Sequence, residues 1–341
     1  MTEPLPAALA VDGGNSKTDV ALIGGDGTVL ALVRGPGMPI RLGEPTVSVI
    51  AGLIREAADL AGRPATDGPV ADCLVACVAN VDLPAEVHEL ERMLTERRFA
   101  GSTQVANDTF AVLRGGLDDV PAAGAARFWG VGVTCGAGIN CIAVAPDGST
   151  AGFLALGMTT GDWGGGMGLG MEAQWYAVRA ADGRGPRTVL QQTVPAYFGL
   201  SEPLQVAEGL HVGQIPWDKV AGLAPLVLQA ADAGDQVARN LVLRLADEIY
   251  LLVKSSVTRL GLGGQPVPVV LGGGVLASGN DLLIGTITRQ IGADFPAAEV
   301  RVLRQPPVAG AALLGLDAAG APVSAKQRLR AAFARRLAPL S

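Results

Sequence analysis

The segment VDGGNSKTDV, residues 11–20, contains the side chains with the clearest chemical potential in the chain. An apolar run ends there at Asp12 and is followed by two glycines, whose backbone N–H groups can approach an anion because no Cβ stands in the way. Lysine would add a positive charge, and serine and threonine would add hydroxyl donors. The segment therefore predicts a phosphate-binding turn between two strands, formed by Gly13, Gly14, Asn15, Ser16, Lys17 and Thr18.

Asp12 itself has two interpretations. An acidic residue beside bound phosphates usually holds Mg²⁺ through water. A carboxylate at the start of a turn also commonly caps the amides of that turn. The residue types alone leave both roles open.

Two further glycine-rich turns follow apolar runs. One comes after residues 130–133 and the other after residues 267–271; their members are Thr134, Gly136, Ala137 and Gly138 in the first, and Gly272, Gly273 and Gly274 in the second. Neither matches the Walker A pattern G-x-x-x-x-G-K-[ST]. A tight hairpin would explain any one of these turns, but three of them at strand ends favour a phosphate held by backbone amides.

Asn107 and Asp108 follow a short apolar segment at 103–106. A carboxylate at the end of a strand can take a proton from a substrate hydroxyl as that hydroxyl attacks a phosphoryl group. Asp108 is equally well placed to be the N-cap of the helix that the following residues predict. Both roles remain open at this stage.

Elements that position these residues alternate between strands and helices. Apolar runs separated by Gly and Asp turns predict a three-stranded meander, and apolar spacings of three and four predict the helices that follow. The predicted strands are 7–11, 18–23, 28–33, 70–79 and 103–106, and the predicted helices are 45–61 and 84–98.

A second cycle of the same kind begins near residue 128. The Asp147-Gly148 turn matches Asp26-Gly27 at an offset of 121 residues, which predicts that one supersecondary unit occurs twice. The boundary between the two copies is expected at 117–126. Further predicted elements are helices at 166–182 and 186–198, two helices within 218–260, a strand at 267–271 and a final helix in the tail that begins PPVAGAALLG.

Composition limits the classes of function. A chain of 341 residues suggests two domains, and a net charge of −6 argues against a nucleic-acid surface. No apolar stretch is long enough to span a bilayer, and the first ten residues lack the basic region of a signal peptide. The basic segment 326–337 is expected to be the solvated face of a terminal helix. Four cysteines without a C-x-x-C pair and two distant histidines make a zinc site improbable and favour reduced thiols: Cys73, Cys77, Cys135 and Cys141.

The order of the motifs DGGNSKT, ND, TCGAGIN and LGGGV resembles the actin/sugar kinase/heat-shock ATPase superfamily. Within it, the chain resembles the BadF/BadG/BcrA/BcrD-type ATPase family, which includes N-acetylglucosamine kinases. The resemblance implies an α/β fold of two ribonuclease-H-like lobes, expected at 1–118 and 119–341, with Mg²⁺ and ATP in the cleft between them. It also implies a cytoplasmic homodimer formed through the C-terminal lobe and a small sugar as the substrate.

The resemblance also implies roles for individual residues. Asp12 to Thr18 and Thr134 to Gly138 would be the two phosphate hairpins, and Gly272 to Gly274 would lie against the adenosine. Asp108 would activate the sugar hydroxyl, and the sugar would be bound by Asn107, Asp108, Thr134, Gly161 and Asp162.

The segments expected to bind the sugar depart from the family pattern. Trp163 stands where the family's Gly-Asp-Glu-Gly loop has glutamate, and Leu156 stands where tryptophan is common. Met38 and Pro39 interrupt a segment in which N-acetylglucosamine-binding members have asparagine. The identity of the sugar therefore stays open at the sequence level.

Three functions are consistent with the resemblance. The first is a kinase that moves the γ-phosphoryl group of ATP to a hydroxyl of an amino sugar, with N-acetylglucosamine or glucosamine as the favoured acceptor. The second is an activator ATPase of acyl-CoA reductases or dehydratases, which holds an iron–sulfur cluster through cysteines; neither Cys135 nor Cys141 suits that role. The third is a sensor or regulatory ATPase without kinase activity.

Overall fold

Ten strands in two five-stranded sheets organise the part of the chain that the computed structural model describes, residues 5–39, 41–64, 68–120 and 128–337. The strands are β1 (Ala8–Gly13), β2 (Lys17–Ile23), β3 (Val29–Pro36), β4 (Ala71–Val78), β5 (Ala100–Asn107), β6 (Gly130–Cys135), β7 (Ile139–Val144), β8 (Thr150–Gly152), β9 (Pro268–Gly272) and β10 (Glu299–Val302).

Twelve α-helices lie in the same described ranges, together with 3₁₀ helices at Gly157–Thr159 and Trp217–Leu223. The α-helices are α1 (Glu44–Leu60), α2 (Pro84–Glu96), α3 (Asp108–Gly116), α4 (Gly165–Ala181), α5 (Leu190–Tyr197), α6 (Pro203–His211), α7 (Ala224–Asp232), α8 (Gln236–Arg259), α9 (Gly274–Ala277), α10 (Asp281–Asp294), α11 (Pro307–Ala318) and α12 (Val323–Leu337). None of them combines the length and the apolar character that crossing a membrane requires.

The first sheet has the order β3-β2-β1-β4-β5. Short turns join β1, β2 and β3, which therefore pair antiparallel, whereas the helices α1 and α2 carry the chain across to β4 and β5, which pair parallel. The meander predicted at 7–11, 18–23 and 28–33 is confirmed, as are the predicted helices and strands that follow it.

The second sheet has the order β10-β9-β6-β7-β8, which is the order of the first sheet when read from its other edge. The turns before β3 and before β8 are also built alike, because Asp26 accepts hydrogen bonds from the backbone N–H and hydroxyl of Thr28 as Asp147 does from Ser149. The predicted α/β fold and the repetition of its strand unit are thus confirmed.

Contacts divide the chain into two units. The first consists of Met1–Gly132, Val144–Leu154 and Leu303–Ser341, and the second consists of Val133–Ala143 and Ala155–Val302. The lobe boundary expected at 118/119 stays a prediction. Residues 121–126 of the linker expected at 117–126 lie outside the described residues.

The first sheet is covered on both faces within the first unit. Side chains alternate along β1, so that Leu9 and Val11 pack with helix α1 while Ala8 and Ala10 pack with α11 and α12. Small residues on the α11 side let this helix lie close to the strands, which confirms the predicted final helix packed through small residues. The basic segment predicted to be solvated forms α12, whose Leu329 and Phe333 are buried.

The second unit is mainly helical. The helices predicted at 166–182 and within 218–260 are confirmed as α4, α7 and α8, and α8 begins at its N-cap Asp235. The elements there that were not predicted include the short helix α6 and the four-residue strand β10. Such short segments have too few apolar positions to show a clear period.

A close crossing of α11 and α3 yields a stability prediction. A Cβ added at Gly310 would lie 1.9 Å from the carbonyl oxygen of Ala111, so Gly310→Ala must push the helices apart. We expect a loss of about 1–3 kcal/mol of unfolding free energy, as overpacking typically causes, measured by urea titration. Gly52→Ala is the control, because Gly52 is exposed on α1 with no atom near the added methyl group, and it should gain up to about 1 kcal/mol. A Gly310→Ala protein as stable as wild type would contradict the close crossing.

Candidate active site

The turn between β1 and β2 has its carbonyl groups paired inside the first unit. The N–H of Gly14 donates to the carbonyl of Lys17 at 2.9 Å and closes the turn. The carbonyl of Gly13 accepts from Ala79 at 2.7 Å, and that of Gly14 accepts from Met38 at 2.8 Å. These two carbonyl oxygens are therefore not free to repel an anion at the turn.

The tip of this turn is held by two residues that the sequence analysis missed. Asn80 donates from its side-chain amide to Oδ1 of Asn15 at 2.6 Å, and it does so with a φ of 64°, which is uncommon for a residue with a side chain. Gly37 passes so close that an added Cβ would lie 2.0 Å from the carbonyl oxygen of Asn15. Ser16 remains exposed at the tip. Nothing in the local sequence signals the pairing of Asn80 with Asn15, since 65 residues separate them.

Lys17 and Thr18 differ in availability. The Lys17 side chain is 44% exposed, and its Nζ lies 3.3 Å from Oδ2 of Asp19. Thr18 is fully buried, and its hydroxyl donates to the carbonyl of Pro36 at 2.7 Å. The expectation that the Thr18 hydroxyl serves a phosphate is therefore corrected: that hydroxyl holds β2 to β3.

Asp19 is a buried carboxylate that forms a fork-like pair with Arg34, at 2.6 Å to Nε and 2.9 Å to a terminal nitrogen. This pair was missed, although the sequence carried a signal. A turn at Asp26-Gly27 sets the register of β2 and β3 so that Asp19 faces Arg34 across the hairpin. The pair neutralises one of the acidic residues of this region.

Asp12 is the next-to-last residue of β1. No described residue forms a hydrogen bond with its carboxylate, although Asp12 is only 8% exposed. The alternative in which Asp12 caps the amides of its own turn is therefore not what the structure shows. Burial raises the pKa of Asp12 to about 8, with the nearby negative charges of Asp108 and Asp19 adding to the rise. A buried carboxylate of this kind can coordinate a metal cation that binds together with a ligand.

The junction of β5 and α3 corrects the expected capping. Asn107, not Asp108, is the N-cap, since its Oδ1 accepts from the backbone N–H of Thr109 at 3.1 Å and from its hydroxyl at 2.7 Å. The Asn107 amide donates to Asp82 at 2.9 Å and to the carbonyl of Val81. Asn107 thus holds the junction in this structure, and its expected contact with a sugar stays a prediction.

Because Asn107 supplies the cap, Asp108 is the first residue of α3 and is released from that role. Its side chain is half-buried. Burial raises the pKa of Asp108 to about 6, against the opposing effect of the N–H groups of Thr109 and of Asp108 itself. Asp12 and Asp108 therefore form a pair of nearby carboxylates in the first unit.

The turn between β6 and β7 follows the same plan in the second unit. The carbonyl of Gly136 accepts from Gly166 at 2.7 Å, and that of Ala137 accepts from Met167 at 2.9 Å, so both are taken up by the first turn of α4. Gly136 and Gly138 have open space where a side chain would begin. The hydroxyl of Thr134 at the end of β6 is buried and has no hydrogen-bond partner. An unpaired buried hydroxyl is costly, which points to a ligand as its partner.

The glycines after β9 have different roles. Gly273 has a φ of 91°, and an added Cβ would lie 2.5 Å from the backbone of Cys135, so a glycine is required there for packing. Gly272 is the buried last residue of β9. Gly274 begins α9 with open space around it. Of the three, Gly274 is best placed to face a ligand.

The loop before α4 contains Gly161 and Asp162. Open space surrounds the α-carbon of Gly161, and the Asp162 carboxylate accepts a hydrogen bond from the hydroxyl of Thr160. Next to it, the guanidinium of Arg244 stacks on the ring of Trp163 at 3.9 Å from the ring centroid, and Arg244 also donates to Glu172 at 3.0 Å. Trp163 is thus packed by stacking rather than by polar contacts. No local pattern indicates this contact, because Arg244 lies 81 residues after Trp163.

The raised pKa of Asp12 yields a prediction about stability and pH. Its ordinary pKa is 3.8 and its folded-state pKa is about 8, so the folded protein binds this proton more tightly than the unfolded chain does. Stability contributed by the protonated form is therefore lost as the pH rises from about 4 to about 8. Asp12→Asn should raise the Tm of the ligand-free protein at pH 8 by at least about 2 °C and should have little effect at pH 4, as measured by calorimetry. A larger effect at pH 4 than at pH 8 would contradict the assignment.

Two curated proteins are similar to this chain in sequence. A curated N-acetylmuramic acid/N-acetylglucosamine kinase of Clostridium acetobutylicum is 24% identical over 310 residues, which are 90% of this chain and 97% of that protein. The N-acetyl-D-glucosamine kinase of Dictyostelium discoideum is 26% identical over 215 residues, 62% of this chain and 65% of that protein.

Solved structures show the same fold. The crystal structure of a Chromobacterium violaceum protein, provisionally named an N-acetylglucosamine kinase, matches with a TM-score of 0.69 and 24% identity, covering 91% of this chain and 98% of that one. The model of the BadF/BadG/BcrA/BcrD ATPase family matches residues 9–315, a range that holds both hairpins, Asp108 and Gly274. The chain therefore belongs to the BadF/BadG/BcrA/BcrD ATPase family.

Proposed function

We propose that this protein is an ATP-dependent kinase that transfers the γ-phosphoryl group of ATP to a hydroxyl of an amino sugar, with N-acetylglucosamine and glucosamine as the first acceptors to test. The observation that carries the proposal is Asp108, a half-buried carboxylate that Asn107 releases from helix capping. The names of the two curated relatives, both amino-sugar kinases, support the choice of acceptor.

Asp108 acts as the general base in this proposal. It takes the proton of the sugar hydroxyl while the hydroxyl oxygen attacks the γ-phosphorus and the bond to the ADP oxygen breaks. A pKa of about 6 keeps the group ionised at neutral pH and leaves it more basic than an ordinary aspartate. A general base of this kind contributes about 10²–10⁴-fold to the rate. Asn107 is a positioning residue that holds Asp108 at the start of α3.

The two hairpins bind the phosphates in this proposal. The first contributes Gly13, Asn15 and Ser16 through the backbone, with Lys17 as a positive charge, while the N–H of Gly14 closes the turn by donating to Lys17. The second contributes Thr134 through its hydroxyl and Ala137 and Gly138 through the backbone, while the N–H of Gly136 donates to the carbonyl of Gly138. Paired carbonyls support this role, because the carbonyl oxygens of Gly13, Gly14, Gly136 and Ala137 already accept hydrogen bonds and do not oppose the phosphate charge.

Asp12 would hold Mg²⁺ through water. Its buried and unbonded carboxylate fits a hydrated cation, and the nearby charge of Asp108 favours one further. When bound, Mg²⁺ neutralises phosphate charge during phosphoryl transfer. Gly274 and its neighbours Gly272 and Gly273 would contact the adenosine, while Gly161 and Asp162 would contact the sugar.

The second function, an iron–sulfur activator ATPase, is less well supported. The thiol of Cys135 is buried near the N–H of Gly165, and the thiol of Cys141 is buried 3.6 Å from the hydroxyl of Ser256. Both cysteines thus face the interior of the second unit, whereas a cluster shared between subunits needs thiols at a surface. The kinase remains the better supported function.

A cytoplasmic homodimer is a further proposal that comes from the family resemblance. All four cysteines are free and buried, which suits a reducing compartment. Large apolar side chains of the second unit are about half exposed, and a protein surface would cover them better than water does. They are Met171, Trp175, Tyr197 and Trp217.

The function is tested by following ADP release with MgATP over a panel of amino sugars, N-acetylated sugars and plain hexoses. We expect release that depends on an amino sugar and a phosphorylated sugar among the products. Asp108→Asn should lower the transfer rate by at least about 10²-fold while calorimetry shows unchanged nucleotide binding, because the amide cannot accept the proton. ATP hydrolysis that no sugar stimulates would favour the regulatory ATPase, and near-normal transfer by Asp108→Asn would remove Asp108 from its role.

Thr134 yields a second prediction with a matched control. Thr134→Val keeps the shape of the side chain and removes the unpartnered hydroxyl, so we expect equal or higher Tm but a transfer rate at least about tenfold lower. Thr193→Val removes a similarly buried and unpartnered hydroxyl on α5 and should leave the rate unchanged. Equal effects of the two variants on transfer would show that the Thr134 hydroxyl has no special role.

A further inference from the structure

The helix that carries Asp108 is short. Helix α3 has nine residues and a length of about 13 Å. Its N-terminal end is fixed by the Asn107 cap, and at its C-terminal end the N–H of Leu117 donates to the carbonyl of Arg114. The direction of such a short helix depends on how both ends are held, so contacts at the C-terminal end bear on the position of Asp108.

A single side chain from α12 binds that end. Arg330 donates to the carbonyl of Gly115 at 2.7 Å and to the carbonyl of Leu117 at 2.5 Å. Its Nε also lies 3.0 Å from each carboxylate oxygen of Asp119. A cation at the C-terminal end of a helix is favoured by the helix dipole as well as by these hydrogen bonds. The three nitrogens of the planar guanidinium each donate to a different acceptor group, and the single nitrogen of a lysine cannot reproduce this spacing.

The surroundings of Arg330 hold it in place. Its side chain is 22% exposed, and that of Asp119 is 7% exposed. Arg114, a residue of α3 that is almost fully buried, lies 3.3 Å from the same Asp119 and 2.6 Å from Asp317 on α11. Lys326 of α12 pairs with Asp317 at 2.6 Å. The result is a network of alternating charges that ties α3, α11 and α12 together.

This network lies largely outside the region that defines the family. The family model ends at residue 315, whereas Asp317, Lys326 and Arg330 follow it. The contacts of Arg330 with α3 are therefore not described by the family match, and they are not part of the catalytic groups proposed above.

We propose that Arg330 is a positioning residue for Asp108: by binding the carbonyl oxygens at the C-terminal end of α3, it fixes the direction of the helix that carries the carboxylate at its other end. The proposal rests on the proposed role of Asp108 as the base. A shift of about 1 Å in a reacting group can lower a rate by about 10²-fold, so a tilt of α3 would be felt in the transfer step.

The test compares Arg330→Gln with Arg328→Gln. Both residues lie on α12 and each pairs with an aspartate, but Arg328 is 56% exposed and reaches Asp26 in the turn between β2 and β3 instead of α3. Arg330→Lys is a milder variant that keeps the charge and loses the fork. All measurements are made on the full chain well below the Tm of each variant.

Single-turnover transfer with the best acceptor of the panel measures the functional effect. We expect Arg330→Gln to slow the transfer step by about 10- to 100-fold with unchanged nucleotide affinity, Arg330→Lys to fall between it and wild type, and Arg328→Gln to match wild type. Amide hydrogen exchange of residues 108–117, measured without substrate, should be faster in Arg330→Gln than in Arg328→Gln.

The two proposals fail in different ways. Equal transfer rates for Arg330→Gln and Arg328→Gln in a sugar-phosphorylating wild type would overturn the role of Arg330 and leave the kinase intact. If wild type transferred no phosphoryl group to any sugar, the kinase proposal would fail, and hydrogen exchange alone would decide on Arg330. Unchanged exchange at 108–117 would then overturn the anchoring of α3, and selectively faster exchange would support it.

Discussion

The burial of two nearby carboxylates, Asp12 and Asp108, is the constraint on which the rest of the site depends. Both are shielded from water, and burial raises the pKa of each well above its ordinary value. Lys17 and Arg34 oppose the rise in the pKa of Asp12 only in part, because each is also paired with Asp19. The protein therefore holds an acidic pair that its own cations balance only partly, which a folded protein tolerates where a proton or an incoming cation completes the site.

Two buried carboxylates must be held in position by the residues around them. Asn107 does this at one end of α3 by taking the helix cap, and the charged network with α12 does it at the other end. Between them, Gly310 lets α11 lie directly against α3. None of these groups needs to touch a substrate. They supply the rigidity that keeps Asp108 near Asp12 at a cost in stability that the rest of the first unit offsets.

What the sequence could predict follows from how far apart the interacting residues are. The meander, both hairpins and the repeated unit depend on turns and apolar periods within a few residues, and all were predicted. Even the pair of Asp19 and Arg34 could be found, because one turn sets its register. The choice of Asn107 over Asp108 as the cap could not, since both residue types cap equally well and only a contact with Asp82 distinguishes them. Arg330 and Arg244 act over long separations, for which a single sequence carries no signal.

The two repeated hairpins share a strand–turn–strand arrangement but differ in the charge of their side chains. Strands β1 and β6 begin 122 residues apart, one more than the 121 that separate the two Asp-Gly turns, so Thr134 stands at the place of Asp12 when the strands are matched from their first residues. Matched in the same way, the apolar Ile139 stands at the place of Lys17. Charge is thus confined to the first copy, while the second offers a neutral hydroxyl and backbone amides. A carboxylate at Thr134 would repel an anion held by the amides of its own hairpin, so a neutral residue at the place of Asp12 suits an anion site at the second turn.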